Sequence, residues 1–426
     1  MLLWFKRLLL LCVLLLPPVA LAQPAPTIFP LAVVYEEALY VLAAPPTTPA
    51  AIPTEGVLLS DTPTYHYQAV WSPDGRWLAY TVSADGDAAS PQKTLRVWDG
   101  RQSIDLVTGT FGAFPIYWTR DGRIVYMLET GVYQGEALLT QVYTIAPEAG
   151  AQPDLAVDNM PFAPCFGGSS FPMPMDWLTW EDSDFGGSRP LLALTDYGVV
   201  YSECKGTDIA LYRPFTDTSD DVSDPLGDLS YGALSPDQTR VAGKRRVRGG
   251  RDQIVNIDLL TMTETHYRLP EAQDAPEYLS ALAWGGDGSL YYATWQTTGN
   301  LLTGLDAAQQ AIINTEFGFE NTLIPQNTVR VYHLSPEMES TPLLELPGYS
   351  IPRMQVRGST LLFSVVSNGE NWVAALLDGR LTPGNSDQAV DYVATTVHYA
   401  TLDTALSVVS QGTLPGDLRQ FAAPLR

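Results

Sequence analysis

Trp71-Ser72-Pro73-Asp74-Gly75-Arg76-Trp77-Leu78-Ala79-Tyr80 reads as a bulky strand end, a tight Asp-bearing turn and an apolar, β-prone strand. The pattern returns as Trp118-Thr119-Arg120-Asp121-Gly122-Arg123-Ile124-Val125-Tyr126. It returns again as Leu234-Ser235-Pro236-Asp237-Gln238-Thr239-Arg240-Val241-Ala242 and as Trp284-Gly285-Gly286-Asp287-Gly288-Ser289-Leu290-Tyr291-Tyr292. Asp and Gly close such turns because a short carboxylate bonds nearby backbone and Gly accepts positive φ. Self-similarity on this scale marks a repeat architecture, and a ring of four-stranded blades, a β-propeller, produces it.

Outward from the first copy, Tyr67–Trp71, Trp77–Val82, Leu95–Trp98 and Ile104–Val107 read as four strands of one blade of about 40 residues. The second unit takes Pro115–Trp118, Ile124–Leu128, Gln141–Ile145 and a weaker strand near Leu155. A degenerate third takes Leu191–Leu194, Val199–Ser202 and Ile209–Tyr212. The fourth runs from Tyr231 through Val241 and Ile254–Ile257 to Thr265–Leu269. The fifth takes Leu279–Trp284, Leu290–Trp295, Val329–Leu334 and Leu343–Leu346, and the sixth Ile351–Val356, Leu361–Val366 and Trp372–Leu377. Leu31–Tyr35 and Ala38–Leu42 read as a hairpin, and Val393–Tyr399 and Ala405–Val409 as strands. These terminal strands make a seventh blade or complete the sixth; closure from both ends removes exposed sheet edges. The Pro/Thr-rich stretch Ala44–Thr64 lacks periodicity and reads as an extended surface loop.

The Ser-Pro-Asp cores in Trp71–Tyr80 and Leu234–Ala242 resemble the WD-repeat-like propeller repeats of TolB-type proteins. The resemblance runs from about Tyr67 to Val366 and specifies fold rather than function. TolB is a periplasmic protein-binding propeller with an α/β domain ahead of it; that domain is expected to be missing here, so the Tol-Pal role does not transfer. The same repeats form the gating propeller of prolyl-oligopeptidase-like enzymes, whose hydrolase domain is expected to be missing too.

Lys6-Arg7, the apolar run Leu8–Leu16 and Ala20-Leu21-Ala22 read as a secretory signal peptide cleaved after Ala22. The expected organisation is a signal peptide over 1–22 and one all-β propeller of six or seven blades over 23–426, with insertions at about 158–190 and 296–327. The apolar run is too short to span a bilayer, and Leu11 before Cys12 disfavours a lipid anchor. A soluble, secreted or periplasmic monomer without membrane insertion is expected. Export leaves Cys165 and Cys204, read as one disulfide. The net charge of −23 repels phosphate backbones, so nucleic acid is not an expected partner.

No nucleophile elbow, zinc-protease motif or phosphate loop is visible. His66, His266, His333 and His398 are scattered without metal-ligand spacing. Asp217, Asp220, Asp221, Asp224 and Asp228 form an acidic loop without EF-hand spacing. No cofactor and no metal are expected. The first insertion, about Asp158–Pro190, combines Phe171, Trp177 and Trp180 with Asp176, Glu181 and Asp182. Aromatics beside carboxylates grip sugars or cationic groups, or they simply pack the loop over the end of the ring. The second, about Gln296–Asn327, carries a helical pattern through Asp306–Ile313. The basic hairpin Lys244–Arg251, with Arg246 and Arg248, meets an acidic partner or pairs with the protein's own carboxylates. Strand bookkeeping puts both insertions and this hairpin on one face, with Ala84–Lys93 and Thr130–Leu138. The expected function is a non-enzymatic scaffold binding an extracellular protein or glycan through that face. The alternative is a glycan-acting enzyme, which needs only two suitably placed carboxyls.

Overall fold

A computed structural model describes residues 29–36, 38–61, 69–87, 90–111, 116–135, 137–162, 192–203, 208–213, 223–225, 229–246, 252–270, 275–318, 323–383, 392–415 and 420–422. Its strands form seven four-stranded antiparallel sheets. The first blade is β4 (Ala69–Trp71), β5 (Leu78–Ser83), β6 (Gln92–Trp98) and β7 (Ser103–Thr110). The second is β8 (Tyr117–Trp118), β9 (Ile124–Gln134), β10 (Ala137–Ile145) and β11 (Asp154–Phe162). The third is β12 (Leu192–Thr195), β13 (Gly198–Glu203), β14 (Asp208–Tyr212) and β15 (Ser223–Pro225). The fourth is β16 (Leu229–Leu234), β17 (Arg240–Arg246), β18 (Asp252–Asp258) and β19 (Glu264–Arg268). The fifth is β20 (Tyr278–Trp284), β21 (Leu290–Asn300), β22 (Pro325–Leu334) and β23 (Ser340–Pro347). The sixth is β24 (Met354–Arg357), β25 (Thr360–Val366), β26 (Thr395–Leu402) and β27 (Val408–Thr413).

The seventh blade closes the ring. It runs β28 (Gln420–Ala422), β1 (Leu31–Tyr35), β2 (Ala38–Leu42), β3 (Val57–Ser60). The closing pair is antiparallel, with Ala32 opposite Ala422 and Val33 opposite Phe421.

The repeat motif explains itself in atomic terms. The Ser72 hydroxyl donates to Asp74 at 2.5 Å and accepts from the backbone N–H of Arg76 and Trp77 at 3.1 and 2.9 Å. Thr119 and Asp121 repeat the latch, as do Ser235 and Asp237 at 2.6 Å. The tryptophan that ends an innermost strand then stitches blades together. The Nε1 of Trp71 donates to the Ala422 carbonyl at 2.9 Å, that of Trp118 to Val70 at 3.0 Å, and that of Trp284 to Ala233 at 2.9 Å. Each of these bonds satisfies a polar group inside a desolvated seam.

The core is a ring of apolar layers between neighbouring sheets. Alternation along a strand sends successive side chains to opposite faces, so both faces of a blade are buried. Leu31 and Val33 pack with Leu362 and Val397 of the sixth blade, while Ala32 and Val41 pack with Trp71 and Tyr80 of the first. Tyr80, Tyr126, Tyr201 and Tyr292 occupy the same place on their second strands and are almost wholly buried. Tyr80 reaches Ser103, and Tyr292 reaches Ser340, each at 2.7 Å.

Several expectations need correcting. Trp372–Leu377 is not a strand but part of a helix over Glu370–Leu377. Trp372, Val373, Ala375 and Leu376 are its buried residues, a spacing that lines one helical face. The last two strands of the sixth blade come instead from β26 and β27, so only β28 is left to close the ring. The stretch Ala44–Thr64 contains a 3₁₀ turn at Pro49–Ala51, a short helix α1 at Ile52–Glu55, and β3. Thr130–Leu138 is mostly the extended hairpin of β9 and β10 rather than a loop. No disulfide bond is present among the described residues, so the Cys165–Cys204 bridge is withdrawn; both cysteines lie outside them. Cysteine parity and compartment carry no distance information, whereas a bridge requires Cα atoms about 4.4–6.8 Å apart.

Candidate functional site

The two faces of the ring are built differently. Every turn from a first to a second strand within a blade emerges on one face, together with the turns from third to fourth strands. That face carries the Asp latches and mostly short reversals; the β2–β3 connection, with the 3₁₀ turn and α1, is longer. The connections from second to third strands, and from one blade to the next, emerge on the other face. Long segments collect there.

Two of them are helical. Helix α2 (Ala307–Phe317) interrupts the β21–β22 connection, and α3 (Glu370–Leu377) interrupts β25–β26. Asp306 caps α2 through the N–H groups of Ala308 and Gln309, and the Gln309 side chain returns a bond to the Asp306 backbone. This reciprocal box fixes the helix start. Gly318, at φ 70°, ends the helix in the left-handed conformation. The two helices share an apolar core of Leu302, Ile313, Ile324, Trp372, Val373 and Leu376, separate from the inter-blade layers. Leu323 beside them stays 70% exposed. On the second blade, β9 and β10 run past the sheet into a hairpin whose tip exposes Val132 and Tyr133 by more than half.

The residues expected to bind fall largely beyond description. Phe171, Trp177, Trp180, Asp176, Glu181 and Asp182 lie in 163–191, and Arg248 in 247–251, outside the described residues. The ends of β11 and β12 that flank the first insertion open onto the helical face. Arg246 is the last residue of β17, on that same face. Its neighbours are engaged internally. Arg245 grips Glu264 through two bonds of 2.7 and 2.9 Å, and Lys244 lies 3.6 Å from buried Asp252. The Arg245 bond holds the Glu264 carboxyl below its ordinary range. Lys244 and Arg245 of the basic hairpin therefore pair with the protein's own carboxylates.

Between the fourth and fifth blades opens a cleft of about 690 Å³. Tyr267 of β19 stands on one side; Arg330 and Tyr332 of β22, with Ser340 and Glu345 of β23, form the other. Beneath it lies Glu277, 7% exposed. Its carboxylate accepts from Arg330 Nη1 at 2.7 Å, Thr294 Oγ1 at 2.7 Å, and the Tyr332 hydroxyl at 3.1 Å. Arg330 also donates to Gln296 at 2.7 Å and, from Nε, to Glu345 at 2.7 Å. Tyr332 stacks flat on Tyr292, with ring centroids 4.8 Å apart. Burial and the nearby Glu277 charge push the Tyr332 phenol up, so it remains a neutral donor. No sequence signal pointed here, because Glu277, Thr294 and Arg330 are brought together only by sheet register.

Among the described residues, no three or more His, Cys, Asp or Glu side chains gather as a metal site. Burial lowers the pKa of His333 and of His398, each of which lies against an aromatic ring. Among the described residues, no helix is long and apolar enough to cross a membrane.

No family model and no curated protein matches the sequence. Solved structures do resemble it. TolB from Acinetobacter baumannii aligns at 12% identity and a TM-score of 0.38, over 75% of this chain and 64% of that one. A putative 6-phosphogluconolactonase from Bacteroides uniformis aligns at 10% identity and a TM-score of 0.45, over 92% and 97%. Prolyl oligopeptidase B from Galerina marginata aligns at 12% identity and a TM-score of 0.46, over 91% and 48%. The chain thus spans less than two thirds of the first of these and about half of the last. What is shared is the propeller fold.

Proposed function

We propose that the chain is a non-catalytic binding scaffold acting outside the cytoplasm, and that it engages a protein or glycan through its helical face. One observation carries this reading: the asymmetry of the ring. One face carries mostly short latched turns, with the β2–β3 connection that holds α1 as its longer exception. The other bears the α2–α3 pair, the exposed Val132–Tyr133 tip and the flanks of the aromatic insertion. Long connections in a compact fold are expensive to order and concentrate function. Exposed aromatics are also the residues that anchor interfaces.

The test is a glycan and peptide array probed with the secreted protein, with substrate turnover followed in parallel. Tyr133→Ala and Trp177→Ala/Trp180→Ala are expected to weaken the captured ligand by about 2 kcal/mol or more if they are anchors, with unchanged melting. Loss of melting temperature with intact affinity would show lid packing instead. Turnover without retention would favour an enzyme.

A further inference from the structure

We propose that the cleft between the fourth and fifth blades is a separate binding site for a neutral sugar residue. The site lies on the outer flank of the ring and does not depend on the helical face.

Its polar groups are already sorted into structural and available ones. Glu277 is fully committed to Arg330, Thr294 and Tyr332, and it is buried. A buried ion pair is no cheaper than apolar packing of the same volume, so stability alone gives little reason for placing one beneath an open cleft. Its effect is to hold Arg330 flat and fixed. Arg330 lines the cleft and uses Nε for Glu345 and Nη1 for Glu277 and Gln296, which leaves its Nη2 donors available. Glu345 has its second oxygen in reserve, with the side chain 60% exposed. A rigid donor therefore stands beside a carboxylate acceptor on one planar pair.

That arrangement discriminates among ligands. An anion meets a guanidinium already neutralised by two carboxylates, on a chain of net charge −23. A cation meets Arg330. A wholly apolar ligand finds Pro270, Pro342, Leu343 and Leu344 in the lining, but it leaves Nη2 and the Glu345 oxygen desolvated and unpaired, which is costly. A neutral polyol satisfies both, because adjacent hydroxyls present a donor and an acceptor side by side. The Tyr267 ring on the opposing blade supplies an apolar face for the C–H side of a pyranose. The cleft volume of about 690 Å³ lies within the range of small-molecule sites.

The full chain is titrated calorimetrically with cellobiose, maltose, lactose, mannobiose and diacetylchitobiose. At least one is expected to bind saturably. Glu345→Gln, which turns half the acceptor into a donor, and Tyr267→Ala are each expected to weaken it at least about tenfold. Tyr267→Phe should retain binding; it and Glu345→Gln should keep the wild-type melting temperature, whereas Tyr267→Ala lowers it by giving up the packing on Tyr292. Tyr133→Ala on the helical face should leave this binding untouched. The proposal is overturned if no disaccharide binds at millimolar concentration, if the cleft variants bind as wild type, or if they lose a peptide ligand and no sugar. Each of those outcomes leaves the helical-face reading standing, since that reading fails only on the helical-face variants.

Discussion

Gln238 donates from Nε2 to the backbone carbonyl of Trp118 at 3.1 Å, across 120 residues of sequence. The bond joins the fourth blade to the second at the inner end of the third. It also accounts for an irregularity in the repeat. Gly75, Gly122 and Gly288 fill the left-handed position of their turns, whereas Gln238 holds φ 58° there. The left-handed backbone and the cross-blade bond thus belong to the same residue.

Gln238 variants separate the strain from the bond. Gln238→Gly relieves the left-handed strain but leaves the Trp118 carbonyl short of a donor. Gln238→Ala loses the bond and keeps the strain. The alanine variant is expected to be the less stable by about 1 kcal/mol, read from urea denaturation. Equal stabilities would mean that the strain contributes nothing.

Closure of the ring rests on three short residues of β28. Phe421 is 2% exposed and sits among Leu31, Val33 and Leu362. Phe421→Ala should cost about 3–5 kcal/mol. Removing 416–426 should lower the melting temperature of the whole ring, since it also strips the acceptor from Trp71. A truncated chain that melted with the full one would refute closure by this strand.

Acid should loosen the latched turns. Burial raises the carboxyls of Asp237 and Asp287, but hydrogen bonds from Ser235 and Thr239, and from Ser289, outweigh it and hold both below the ordinary carboxylate range. A carboxyl whose folded pKa lies below its unfolded value stabilises the fold above the unfolded value. That contribution disappears as pH falls through the folded pKa. Asp237→Asn/Asp287→Asn should therefore be less stable than wild type at neutral pH and decline less steeply below about pH 4. Parallel pH profiles of the urea midpoint would rule this out.

The α2–α3 pair should melt before the ring. Its core does not mix with the inter-blade layers, and local units of this kind open at lower free energy than the global fold. Trp372→Ala, removing a side chain only 3% exposed, should split a low-temperature transition from the main calorimetric peak. A single peak shifted as a whole would show that the pair is integral to the ring.

The ring was legible because its turn chemistry is written in contiguous residues. Ser72, Asp74 and Gly75 act on one another within a few positions. Trp372–Leu377 was misread for a related reason. A short apolar run suits a buried strand or a buried helix equally well, and periodicity cannot separate them. β3 stayed hidden because an outer strand is covered on one side only, and its Val57 and Leu58 are half exposed. The cleft was illegible in principle. Glu277 and Arg330 are separated by 53 residues and meet through strand register alone. The aromatic insertion, by contrast, was visible at once as composition, but it lies outside the described residues.

The pairing of Ala32 with Ala422 also sets an order of assembly during synthesis. A chain emerges from the ribosome N-terminus first, and its parts fold as they appear. β1, β2 and β3 are made before any complete blade, yet their sheet lacks its innermost member until the last strand is out. Meanwhile Leu31, Val33 and the Trp71 indole face an empty place. The blade begun first is thus the last one finished, and nascent chains stalled before residue 420 would present an open apolar seam to chaperones.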